Sequence, residues 1–312
     1  MQNSQGKFSV KFRGVRGSYP TPDFQYLKYG GNTSCVEVNV NGHLILLDAG
    51  TGIIKKGNEL LKDYIASNKE DDYLDATILL SHFHQDHIQG LPFFKPLYMK
   101  NALINIVGSS AYEEEIDEVL SNLLFQKSFP LDLTEIAADV NFVNLNDNYI
   151  LVFKDDTEVP EIMKIESDYD YVPEGDEVVI SCLKSNAHPK TGVLIYKIAY
   201  KDRSLVYATD KESYVGGDKK LALFARNADL LIHDSQYTTE EYLNVIVSKQ
   251  GYGHSTFDMA LEAMGQCHAK SLAFFHLDPN YNDDMLQEIE NHYNKTCPTV
   301  FIPKEGQEIV LL

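Results

Sequence analysis

Tryptophan is absent from the 312 residues, cysteine occurs only four times, and 27 lysines and arginines face 46 aspartates and glutamates. Each shortage excludes something. The cysteines, Cys35, Cys182, Cys267 and Cys297, stand far apart with no Cys-x-x-Cys pair, which argues against a structural zinc knuckle or a redox motif and for reduced, mostly buried thiols without disulfides. No apolar run approaches the ~20 residues of a membrane helix. The start, MQNSQGKFSV, has neither a basic nor an apolar leader region, so the expected location is cytoplasmic and no membrane partner is expected. A formal charge of −19 would repel a long polyanion over most of the surface, so a long nucleic acid is not the expected partner. With no tryptophan, the 19 tyrosines and 15 phenylalanines read as core and sheet packing. No internal repeat or low-complexity tract is visible.

What is present is a 44% hydrophobic chain with alternating strand and helix signals. Residues 7–14 alternate like an edge strand, and SCVEVNV and HLILLDAG flank Asn41-Gly42, a strong hairpin signal. Helical spacing covers 53–68 and 111–125, with buried-strand patterns at 75–80 and 104–108. Three consecutive strands follow from 178 to 210, a fourth at 228–234, a helix from 257 opened by Ser255 or Thr256, a strand ending in FFH, and a last helix. The pattern predicts an α/β fold in one domain, 1–312, with two similar halves of roughly 1–180 and 181–312. The acidic, poorly periodic stretch 146–176 reads as a surface insertion or lid.

The densest chemistry is "SHFHQDH" after the apolar run ILL. In an extended segment residues i and i+2 point the same way, so His82 and His84 can share one ion while Asp86 and His87 fall to a second. A solvated histidine-rich loop is the bland alternative. Bound metals would also draw a small anion to an otherwise acidic protein.

This turn resembles the His-x-His-x-Asp-His motif of metallo-β-lactamase-fold hydrolases, and the resemblance extends over nearly the whole chain. It implies an αβ/βα four-layer sandwich, two mixed β-sheets flanked by helices. Asp48 in LLDAG matches the aspartate that supports the metal loop. The resemblance implies one ion on His82, His84 and His188, a second on Asp86, His87 and His276, and Asp210 bridging. The cofactors so implied are two divalent ions, zinc first, with manganese or iron(II) as alternatives; a hydroxide shared between them is the implied nucleophile.

The reaction is suggested elsewhere. LLIHDSQYTTEEY and GYGHSTFDMALEAM resemble the paired motifs of ribonuclease Z-like phosphodiesterases, which makes His254 the expected general acid and Asp234 its orienting partner, with Asp86 also at the catalytic centre. Asp234 stands where ribonuclease Z has glutamate, and His233 is expected to be structural. GVRGSYPTP and YGGNTSCVEV resemble a bacterial cyclic-phosphodiesterase-like subgroup; Arg16, Ser18, Asn32 and Ser34 then line the mouth of the site, or hold the first sheet together, with Arg16 the foremost anion contact. His43, His268 and His292 are expected at the surface. A nucleobase stacking on Phe24, Tyr26 or Tyr29 is conceivable.

The favoured expectation is a phosphodiesterase acting on a small substrate, a cyclic nucleotide or cyclic phosphate. A lactone, thioester or β-lactam hydrolase, a tRNA-processing endonuclease and a non-catalytic metal sensor are the alternatives. Basic segments that would grip tRNA are missing from 111–135 and 146–176. Related phosphodiesterases often pair, so a homodimer is possible.

Overall fold

Six strands in chain order, β1 (Phe8–Gly14), β2 (Cys35–Val40), β3 (His43–Leu47), β4 (Leu74–Leu79), β5 (Ala102–Gly108) and β6 (Asp139–Asn144), form most of one sheet. A second sheet collects β7 (Tyr149–Phe153), β8 (Glu161–Lys164), β9 (Val178–Ser185), β10 (Val193–Tyr200), β11 (Arg203–Ala208), β12 (Leu230–Asp234), β13 (Leu272–Phe275) and β14 (Val300–Phe301). The last strand, β15 (Glu308–Val310), returns to the first sheet beside β1. This computed structural model describes residues 6–67, 73–109, 114–125, 128–154, 157–165, 171–213 and 216–312.

Among the described residues the orders are β15-β1-β2-β3-β4-β5-β6 and β14-β13-β12-β11-β10-β9-β7-β8. Both sheets are mixed. β3 to β6 run parallel, as do β11 to β14, while the remaining pairs are antiparallel. The β2–β3 hairpin turns on Asn41 (φ 46°) and Gly42 (φ 92°), and two successive positive φ values are what a two-residue turn between twisted strands requires.

Alternation decides which face each side chain covers. Val36, Val38, Val40, Ile45 and Leu47 point between the sheets and share a cluster with Leu151, Ile180, Tyr196, Ile198 and Leu205. Leu46, Ile78, Ile104 and Ile106 point outward, onto Ile53 of the helix Gly52–Ser67 and Ile116 and Leu120 of the helix Ile116–Leu124. The helix Phe257–Cys267 presents Phe257, Ala260 and Met264 to the second sheet. The layers are therefore helix, sheet, sheet, helix. Each buried aliphatic side chain is worth roughly 1.5–3 kcal/mol, so the sheets dock through their core without relying on a metal.

Four expectations need correction or completion. The helices expected at 53–68 and 111–125 are Gly52–Ser67 and Ile116–Leu124; residues 68 and 111–113 lie outside the described residues. The acidic stretch 146–176 is not a lid where it is described: β7 buries Ile150, Leu151, Val152 and Phe153 and pairs with β9. The halves also interlock, since β7 and β8 precede residue 180 yet belong to the second sheet, and β15 belongs to the first. His43 is buried against the Phe153 ring at 4.6 Å rather than exposed, whereas His268 and His292 lie at the surface. All four cysteines are free, and no helix among the described residues is long and apolar enough to cross a membrane.

A buried charge cluster fixes the helix Gly52–Ser67 on β1 and β2. Glu37, 3% exposed, accepts from Arg13 Nε at 2.5 Å and from Lys56 Nζ at 2.7 Å, and Arg13 also reaches Glu59 at 2.6 Å. Replacing Glu37 by Leu leaves Lys56 without this partner and Arg13 with Glu59 alone, with an expected cost of about 3 kcal/mol in a denaturant titration. Burial opposes the Glu37 charge, but Lys56 and Arg13 outweigh it and hold the carboxyl below its ordinary 4.5. A lowered folded-state value means that this stabilisation is present above about pH 4.5 and is lost as pH falls through the depressed value.

Candidate metal centre

Strands of both sheets, most of them parallel, deliver their C-terminal ends to one edge of the sandwich. Asp48 follows β3, the turn 81–87 follows β4, His188 follows β9, Asp210 follows β11, Asp234 ends β12 and His276 follows β13. Asp48 (φ 61°), Asp210 (φ 50°) and His276 (φ 59°) all adopt left-handed backbone, which turns each side chain sharply inward as the strand stops. Such conformations are uncommon for residues with a side chain and cluster where the surroundings over-determine them.

Two groups of donor atoms face each other across Asp210. Its Oδ1 lies 3.6 Å from His82 Nε2 and 3.9 Å from His188 Nε2, and His84 Nδ1 lies 2.9 Å from His188 Nε2. Its Oδ2 lies 3.1 Å from His87 Nε2 and 3.3 Å from His276 Nε2, and Asp86 Oδ2 lies 3.0 Å from His276 Nε2. One carboxylate thus offers a separate oxygen to each group. Within each group the donor atoms lie within 4.8 Å of one another.

The outer ring nitrogens are held by partners that turn the inner ones toward one another. Asp48 Oδ2 takes His87 Nδ1–H at 2.7 Å, and the same carboxylate accepts Ser81 N–H at 2.7 Å and Tyr207 O–H, from the second sheet, at 2.7 Å. His188 Nδ1 donates to the Gly253 carbonyl (3.2 Å), His82 Nδ1 meets Ser81 Oγ (3.0 Å) and His276 Nδ1 meets Gln236 Oε1 (3.1 Å). A partner on one ring nitrogen fixes the tautomer and aims the other at an ion. His82 Nε2 is buried without a hydrogen-bond partner, a costly arrangement unless a cation fills it. Burial also holds His82 well below its ordinary pKa, in the neutral form that ligates. Imidazoles plus carboxylates around two adjoining positions fit two divalent ions, and His82, His84, His188, Asp86, His87, His276 and Asp210 are the residues that would hold them.

Beside this centre stands a dyad. Asp234 Oδ2 lies 2.7 Å from His254 Nδ1, and Asp234 Oδ1 accepts Ser255 N–H at 2.8 Å, so the distance left open by the sequence is a hydrogen bond. The His254 ring stacks on His276 at 4.9 Å and 10°. Burial works against a charged His254, but Asp234 more than offsets it and lifts the group to about 9. Thr256, not Ser255, caps the following helix, and Ser255 Oγ instead donates to the Lys211 carbonyl. His233 is buried, held at about 4 by that burial, and donates to the Asp234 carbonyl, in line with a structural role.

The mouth residues divide. Ser18 stays at the site, its N–H on Asp86 Oδ2 at 2.7 Å. Arg16 does not contact an anion: it is fully buried and donates to the carbonyls of Gly30 (2.8 Å), Asp278 (3.3 Å) and Tyr281 (2.6 Å), with its guanidinium 4.9 Å above the Tyr26 ring. Ser34 is buried and donates to the Arg16 carbonyl, and Asn32 is bound to Glu305. These three are clasps for the loop 16–34. Tyr29 is buried as well and cannot stack on a ligand.

Several contributors carry no sequence signature of their own. Glu212 accepts Gly251 N–H (2.8 Å), Gly253 N–H (3.0 Å) and Tyr242 O–H (2.5 Å), tying down the loop that ends in His254. Gly253 (φ 91°) lies so close to His188 that an added Cβ would sit 2.4 Å from its Nδ1. A cleft of about 650 Å³ opens beside His188, lined by Asn186, Lys190, Glu212, Ser213 and Tyr242.

Residues 43–277 match the family model described as Beta-lactamase superfamily domain. Among curated relatives, "Ribonuclease Z" of Picrophilus torridus is 26% identical over 319 residues, covering 92% of each chain. In architecture the chain is similar to the metallo-beta-lactamase fold protein YhfI from Bacillus subtilis (TM-score 0.63, 19% identity, 97% of this chain and 99% of that one). It is also similar to human tRNase Z, short form (TM-score 0.56, 19% identity, 97% and 99%).

Proposed function

The chain belongs to the beta-lactamase superfamily and is a metal-dependent hydrolase of that fold; from this premise we propose that the bond it cleaves is a phosphodiester. The observation that carries the reading is the Asp234–His254 pair, hydrogen-bonded at 2.7 Å and stacked on His276 at the rim of the metal centre. Lactone and lactam hydrolysis also release a group that takes up a proton, so the pair points to a phosphodiester in combination with the ribonuclease Z name of the aligned relatives. Phosphodiester cleavage expels an alkoxide, and an imidazolium held by a carboxylate is suited to protonate it.

Two divalent ions, when bound, supply Lewis-acid stabilisation of the phosphoryl oxygens and a nucleophile at neutral pH. The protein's residues supply the rest. Asp234 orients His254 and favours its protonated form, leaving Nε2–H to be delivered to the leaving oxygen. His254 is 12% exposed at its side chain, enough to meet substrate while bulk water is largely kept away. Asp48, with Ser81 and Tyr207, keeps His87 in the tautomer that ligation requires.

For the substrate we favour a transfer RNA precursor, cleaved endonucleolytically, on the strength of the ribonuclease Z name of relatives aligned over most of the chain. A second reading, a small phosphodiester such as a cyclic nucleotide or cyclic phosphate, draws on the cleft of nucleotide size beside His188 and on 46 acidic against 27 basic residues. Purified protein supplied with zinc or manganese is expected to hydrolyse bis-p-nitrophenyl phosphate. A parallel panel of cyclic mono- and dinucleotides, ribose cyclic phosphates and a precursor tRNA separates the two substrates. Steady turnover of lactones or thioesters with none of any phosphodiester would sink the proposal.

A further inference from the structure

Two imidazoles stack at the rim, His254 and His276, and the chain gives each its own acceptor. β12 ends at Asp234, whose Oδ1 accepts Gln236 N–H at 3.3 Å, and both side chains reach the stacked rings. Asp234 Oδ2 holds His254 Nδ1 at 2.7 Å and is 3.7 Å from His276 Nδ1, out of hydrogen-bond range. The His276 ring is met instead by Gln236 Oε1 at 3.1 Å. Gln236 is 3% exposed, and its Nε2–H donates to Ser18 Oγ at 3.2 Å. Ser18, held in left-handed backbone at φ 64°, donates its own N–H to Asp86 Oδ2 at 2.7 Å. Gly17, just before it, lies against the His276 ring so closely that an added Cβ would sit 2.3 Å from Cε1.

A continuous relay therefore runs from His276 through Gln236 and Ser18 to Asp86, two of the three side chains that with Asp210 would hold the second ion. Among the described residues, Gln236 Oε1 is the hydrogen-bond partner of His276 Nδ1. We propose that Gln236 is a positioning residue for the second metal position: its carbonyl fixes His276 with Nε2 aimed at the ion, and its amide, through Ser18, locks Asp86 opposite. A glutamine suits this better than a second aspartate. It accepts the ring N–H without adding another negative charge beside Asp234, which leaves Asp234 to serve His254 alone.

The inference rests on the two-metal reading, and metal stoichiometry tests the two separately. Protein equilibrated against defined free zinc and analysed for metal is expected to hold two ions per chain in the wild type. Gln236→Leu, which keeps side-chain bulk but neither hydrogen bond, is expected to weaken the second ion about 10–100-fold and leave the first unchanged, giving close to one ion at limiting zinc. Gln236→Glu restores an acceptor for His276 and is expected to recover the second ion. Ser18→Ala, at an exposed position, removes the Oγ that Gln236 donates to while keeping the backbone N–H on Asp86, and is expected to give a smaller loss in the same direction. Cobalt substitution gives a second readout, since an altered second position changes the visible d–d absorption. A wild type holding fewer than two ions overturns the two-metal reading and this inference with it. A folded Gln236→Leu protein with two ions at wild-type affinity overturns the inference alone. If Gln236→Leu does not fold, wild-type affinity in Ser18→Ala overturns it.

Discussion

His254→Ala is expected to slow cleavage of an alkyl or cyclic phosphodiester by about 10²–10⁴-fold while costing bis-p-nitrophenyl phosphate far less. The difference follows from the leaving group. An alkoxide needs a proton as the phosphorus–oxygen bond breaks, whereas p-nitrophenolate departs without one, so removal of the acid is felt in proportion to leaving-group basicity. Equal losses across a leaving-group series would show that His254 shapes the site without transferring a proton. The pH profile gives an independent sign. With its protonated form favoured by Asp234, His254 loses its proton as pH rises through about 9, and divalent ions bound alongside pull that value down. The wild-type rate on poor leaving groups should therefore fall along an alkaline limb at or below about 9, and that limb should be missing in His254→Ala.

Asp210→Ala is expected to have the other large effect, on both metals at once. Each of its oxygens faces a different donor group, Oδ1 toward His82 and His188 and Oδ2 toward His87 and His276. Its removal takes a ligand from each position and leaves five histidines with no shared negative charge between them. Metal content is expected to fall below one ion per chain under conditions that load the wild type with two. Turnover should drop roughly 10³-fold or more, since metal ions supply several kcal/mol and each ~1.4 kcal/mol is a factor of ten. The fold should persist, because the core between the sheets does not include Asp210. Full metal content in folded Asp210→Ala, measured by elemental analysis, would refute the bridging role.

How far the sequence could be read depended on whether the relevant contacts are local. The turn 82–87 was legible because four of its residues lie within six positions and extended geometry alone sorts them into pairs. His188, Asp210 and His276 are ordinary residues until a fold brings them together, and only the resemblance to a family ordered them. Arg16 was misread for the same reason. A loop rich in glycine and carrying an arginine suggests an anion contact, but two of the carbonyls that capture this guanidinium belong to Asp278 and Tyr281, 262 and 265 residues away. The strand β7 was hidden by its flanks: YILVF stands between NDN and KDD, and the acidic neighbours masked a run that alternation could not flag because it is buried on both faces. Gln236 was invisible for a chemical reason. Glutamine neither titrates nor attacks, and the only clue, its spacing of two from Asp234, gains meaning once the two side chains are seen on the two stacked imidazoles.

The reciprocal exchange of strands between the two sheets bears on how this chain can be divided. A cut near residue 180 would look natural from the similarity of the halves, yet it would leave β9 without the β7 edge it pairs along and β1 without β15. Each fragment would then present an unpaired, apolar strand edge, a template for self-association. Two such pieces would meet productively only by refolding into one another, so the halves are not interchangeable modules.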